Sequence, residues 1–97
     1  MDVSPFALLA MCTTRIRELI TVKALSERGQ KALCSKVLKM PDWRLKNHYS
    51  CVRGFTMDEL ICALSSARDV EQEMKSGSDQ MQSFVSWFLG VCKKGSL

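Results

Sequence analysis

The chain of 97 residues has one histidine, one tyrosine, two prolines and five glycines, and each scarcity excludes something. With His48 alone and no glycine-rich phosphate loop, the residue types that acid–base, nucleophilic or nucleotide chemistry requires are not gathered. Five cysteines, Cys12, Cys34, Cys51, Cys62 and Cys92, are an odd number with no CxxC pair, so neither a disulfide framework nor a zinc site is written in their spacing. They read as buried reduced thiols, which points to the cytoplasm. No apolar run approaches the roughly 18 residues that span a bilayer. The stretch PFALLAMC at 5–12 follows MDVS, which carries no positive charge, and reads as a buried helix end rather than a secretion signal. Alternating β-branched stretches of strand length and internal repeats are also missing.

What remains is a globular composition, 46% apolar and 25% charged, expected to form one helical domain over residues 1–97. The net charge of +4 is uneven: residues 1–53 hold ten Lys/Arg against four Asp/Glu, and residues 54–97 hold four against six. Such polarity suits nucleic acid, an acidic protein partner, or two surfaces that meet different neighbours.

Helix punctuation divides the chain. Ser4 followed by Pro5 is an N-cap with proline at the first helical position, and Gly29 sits where a left-handed terminus needs glycine. Between them Phe6, Leu9, Cys12, Ile16, Leu19, Ile20 and Leu25 share one side. A short second helix over 30–38 is stopped by KMPD, because a residue before proline is pushed out of the helical region. Asp42 is the expected cap of a third helix, with Leu45, Tyr49 and Val52 on its core face, Phe55 anchoring the turn that follows, and Arg44, Lys46, Asn47 and His48 outside. Thr56 and Glu59 have the spacing of a capping box for a fourth helix, whose apolar stripe is Leu60, Ala63, Leu64, Ala67, Val70 and Met74 before Gly77. Ser78 is the expected cap of the fifth, running from Asp79 to about Lys93. Met81, Phe84, Val85, Trp87, Phe88, Leu89, Val91 and Cys92 cover more than one face, so some either fill a central position or point outward to a partner. Trp87 is the expected outward residue, and Trp87, Met81 and Val91 are the candidate subunit interface.

No catalytic, cofactor-binding or metal-ligating residue is assigned. His48 and Cys51 lie three apart on one turn, but two ligands do not make a zinc site. A second class of function rests on residues 30–53, which read as helix, break, helix and carry Lys31, Lys36, Lys39, Arg44, Lys46 and Arg53 against Asp42. A DNA-binding helix-turn-helix shows this pattern, and Trp43, Arg44, Lys46 and Asn47 would then meet bases and phosphates. The break lacks the customary glycine, and a charge run is more often a solvated face. Arg44, Lys46 and Arg53 form the candidate basic surface.

Taken in order, RIRELITVKALSERG (15–29), LKMPDWRLK (38–46), RGFTMDEL (53–60) and EMKSGS (73–78) resemble the C-terminal domain of the delta subunit of bacterial DNA polymerase III, over about residues 6–92. Lys39 stands where that family often has glycine, and Gly54 where it often has a second arginine. The resemblance implies an all-α clamp-loader collar domain of about five helices, preceded in the whole subunit by two ATPase-like domains. It further implies a cytoplasmic oligomerisation module with no catalytic activity, cofactor, membrane or small-molecule substrate. Its partners would be the gamma/tau and delta prime type subunits, with DNA met only through the complex.

Overall fold

Ser4 begins the first helix by accepting the Phe6 N–H on its hydroxyl at 3.1 Å, while Pro5 takes the position where a missing N–H is harmless. Helix α1 (Pro5–Glu27) then runs 23 residues, about 35 Å, without a breaker. It ends in a left-handed turn at Gly29 (φ 72°): the Gly29 N–H reaches the Ser26 carbonyl at 3.1 Å and the Gln30 N–H reaches Leu25 at 2.8 Å. The computed structural model describes residues 4–77 and 79–95, with side chains as far as Val91. The expected cap at Ser78 and the side chain of Cys92 lie outside the described residues.

Residues 30–38 are not one continuous helix. A 3-10 turn, Lys31–Leu33, leads into α2 (Cys34–Leu38), because no side chain caps the start and the tighter turn satisfies the Leu33 N–H on the Gln30 carbonyl at 2.9 Å. Lys39 closes α2 at φ 55°, doing in the left-handed region what glycine does more easily, and Met40 is thereby turned into the core. Asp42 is not the cap of α3 (Asp42–Val52). Pro41 holds that position with extended backbone, its carbonyl accepting the Arg44 and Leu45 N–H groups, and Asp42 becomes the first helical residue, favourable to the helix dipole.

Helix α4 (Met57–Lys75) starts with the expected capping box: Thr56 Oγ1 accepts the Glu59 N–H at 3.1 Å, and Glu59 Oε1 accepts the Thr56 N–H at 2.8 Å. It ends at Gly77 (φ 101°). Helix α5 (Gln80–Gly95) follows, with Asp79 Oδ1 accepting the Gln82 N–H at 3.0 Å. The fold is all-α with five helices, and no strand occurs among the described residues.

Helix α1 is the spine, packing against α4, α3, α2 and α5. Its first half contributes Leu9 and Ile16 to a cluster with Ala63, Ala67, Val70 and Met74 of α4 and Phe84 and Trp87 of α5. Its second half contributes Leu19 and Val22 to a cluster with Cys34, Met40, Leu45, Val52 and Leu60. Helices α1 and α4 therefore run antiparallel through both. Two clusters laid end to end explain the shape: the radius of gyration is 14.5 Å, whereas a round domain of this length has about 12.5 Å. Phe55 packs on the second cluster as the sequence leads one to expect.

Candidate functional site

Helix α5 carries apolar side chains around well over half its circumference, so its orientation decides what the surface offers. Phe84 and Trp87 point inward, their ring centroids 6.1 Å apart and tilted by 44°. The expectation that Trp87 faces outward is wrong. Its ring is buried in the first cluster, and its Nε1–H donates to Ser66 Oγ of α4 at 2.8 Å, while Ser66 donates onward to the Ala63 carbonyl at 3.0 Å. A buried indole N–H is cut off from water and needs an acceptor, which Ser66 supplies inside the contact between α4 and α5. Val91 is half-buried against the same cluster, so of the candidate interface residues only Met81 is openly exposed.

The outward apolar face belongs instead to Met81 (46% exposed), Val85 (40%), Phe88 (41%) and Leu89 (61%). Spacings of four, three and one place these four side chains within an arc of about 100°. Phe88 stacks on Phe84 with centroids 5.7 Å apart, so the outer face is continuous with the buried one. Val85, Phe88 and Leu89 belong to the apolar surplus read from the sequence, and their i+4, i+7 and i+8 relation to Met81 is the signal that groups them on one face.

On the other side of α5 from this face, α4 and α5 enclose a cleft of about 280 Å³ lined by Phe55, Cys62, Ser66, Trp87, Gly90 and Val91. Glu59 also reaches it, but its carboxylate is already held by the Thr56 amide. The cleft can bury apolar surface and offers no convergent pair for proton transfer. Among the described residues no three His, Cys, Asp or Glu side chains are gathered as a metal ion requires, and no helix is long and apolar enough to cross a membrane.

Helix α3 departs from expectation at one residue. His48 does not face solvent but is 1% exposed, with Nε2 donating to Glu18 Oε1 of α1 at 2.9 Å and Nδ1 left without a partner. Its position three after Leu45 and four before Val52, both buried, puts it on the inner face. Cys51 is exposed, so the two do not converge. Cys34 is buried as expected and Cys12 half-buried, whereas Cys62 is exposed like Cys51, because both lie on outer helix faces. Tyr49 is half-buried under the Lys31 ammonium, 4.2 Å from its ring centroid. Burial pushes its phenol above the usual value, with Cys34 and then Asp42 adding to the effect.

Arg44, Lys46 and Arg53 are all exposed, yet they do not form one ridge. Arg44 and Lys46 lie about 200° apart around α3, flanking Trp43, which is 71% exposed. Helix α2, with five residues, is little more than one turn, so it is short for the helix that crosses the DNA backbone in a helix-turn-helix.

A protein-family model described as the C-terminal domain of the DNA polymerase III delta subunit matches residues 1–91. No curated protein and no solved structure was found to match.

Proposed function

We propose that this chain, which belongs to the family of C-terminal domains of the DNA polymerase III delta subunit, is an assembly module that holds clamp-loader subunits together as a collar. The observation that carries the reading is the outer face of α5, where Met81, Val85, Phe88 and Leu89 present apolar surface in one stripe. Isolated exposed apolar residues are ordinary, but a stripe over successive turns is the kind of surface that helix-to-helix contacts between subunits use. In this reading the neighbours are gamma/tau and delta prime type subunits, and the domain performs no chemistry. It keeps the preceding ATPase-like domains at high mutual concentration, so that weaker contacts elsewhere can break and reform.

The test mixes the chain with the C-terminal domains of the other loader subunits and measures sedimentation at roughly 10–50 μM, a range that detects micromolar association. Association is expected, and Phe88→Glu and Leu89→Glu should abolish it while leaving the helical circular dichroism unchanged. Association indifferent to both substitutions would remove α5 from the interface. No association, together with tight duplex binding that depends on Arg44 and Lys46 and falls steeply with salt, would favour the helix-turn-helix alternative.

A further inference from the structure

On the far side of α4 from α5 a second cleft, of about 380 Å³, opens between α1 and α4. Ser66, which meets Trp87, and Arg68, which lines this cleft, are two residues apart and so about 200° apart around α4. The two surfaces are therefore separate. Arg17 of α1 and Arg68 of α4 both line the cleft, and both are exposed. Among the described residues neither guanidinium meets a carboxylate: the ion pairs present are Lys23 with Glu27, His48 with Glu18, and Lys75 with Glu71. The lining also includes Ile61, which is 51% exposed, and the half-buried Leu64.

We propose that this cleft is a second protein-docking site, taking an acidic amphipathic helix of a partner whose carboxylates are held by Arg17 and Arg68 and whose apolar residues cover Ile61 and Leu64. Charge complementarity selects the acidic partner, since a guanidinium offers a carboxylate two parallel donors. The apolar wall selects protein over nucleic acid. Glu71, also in the lining, is paired with Lys75 at 3.1 Å, which offsets its repulsion of an acidic partner. The length of α4 from Ile61 to Glu71, about 15 Å, accommodates roughly three turns of a docked helix. This site goes beyond the assembly role of α5 and does not depend on it.

The probe is a synthetic amphipathic helix carrying Glu at two positions four apart and Leu three and seven residues after the first. Its controls are the same peptide with Gln for Glu and a short DNA duplex, each titrated into the isotopically labelled 97-residue chain and followed by amide shifts. The acidic peptide should shift Thr13, Arg17, Ile61, Ser65 and Arg68, leaving α5 unmoved. Arg17→Gln and Arg68→Gln should each weaken binding about tenfold without changing the fold, as both side chains are exposed, and Arg68→Glu should be rescued by a peptide with Arg for Glu. The proposal is overturned if the acidic peptide does not bind, if the Gln peptide binds equally well, or if duplex DNA occupies the cleft more tightly than the peptide. Because the readout is confined to α1 and α4, its failure leaves the α5 assembly test untouched.

Discussion

The two ends of the molecule close their cores differently. Around the second half of α1, several short elements converge on Leu45, Leu60 and Val22, and the exposed apolar residues there, Leu33, Val37 and Trp43, come from three different elements. At the other end a single helix, α5, covers the cluster with Phe84 and Trp87 and turns Met81, Val85, Phe88 and Leu89 away from it. The first end is tied by a polar contact that bridges α3 and α1, the second by one that bridges α5 and α4. The lesson is that a helix apolar on most of its circumference can complete a core and still leave a face for another molecule.

The sharpest way to break this contrast is to empty each core in turn. Trp87→Ala and Leu45→Ala should each destabilise the chain by about 3–5 kcal/mol, because both side chains are buried and leave large cavities. Should the ends be energetically separate, Trp87→Ala will strip hydrogen-exchange protection from α5 while α3 keeps it. Loss of protection in both helices together would show that α1 and α4 couple them. Next comes His48→Ala, which removes a buried ring and leaves Glu18 without its donor; a loss of about 2–3 kcal/mol in chemical denaturation is expected. A change below about 0.5 kcal/mol would mean that the bridge holds nothing.

Lys39→Gly works in the opposite direction. Relief of the left-handed backbone should raise stability by about 0.5–1 kcal/mol, measured as an increase in Tm, and a decrease would show that the lysine stem packs better than its backbone strains. The smallest effect concerns Tyr49. Its folded phenol is raised above the ordinary value of 10.0, so the folded state holds the proton more tightly than the unfolded chain. Stability should therefore be unaffected by this group below about pH 10 and fall as pH rises beyond it, and Tyr49→Phe should flatten that alkaline slope. An unchanged slope would place the titration elsewhere.

Much of the fold was legible because helix boundaries are written in local chemistry. Ser4 with Pro5, Gly29, Thr56 with Glu59, and Gly77 each do what their residue type does best, and the stripe from Leu60 to Met74 faces inward along its whole length except at half-buried Leu64. The boundary at Asp42 was misread because Pro41 beside it could take the cap with its backbone alone. Orientation was harder. Periodicity sets the polar side of α5 at Gln82, Ser83, Ser86 and Gly90 but cannot say which part of the remaining apolar arc of about 200° turns inward; there Trp87 goes in, where Ser66, twenty-one residues earlier, offers an acceptor to the indole. His48 was misplaced for the same reason, since its burial depends on Glu18, thirty residues away, and a polar side chain on an inner face looks like an error until its partner is known. The family of the chain was readable in the order of its motifs, while the outward direction of the Met81–Leu89 stripe needed the structure.

The contrasting burial of the two tryptophans makes each end visible by light. Trp43, 71% exposed, should emit at the red-shifted wavelengths of a water-bathed indole, and Trp87, 9% exposed beside Phe84, at bluer ones. With Trp43 replaced by phenylalanine, the remaining emission comes from the contact between α4 and α5, and its colour and quenching then report from within whether that contact tightens when a partner lands on the other side of the helix.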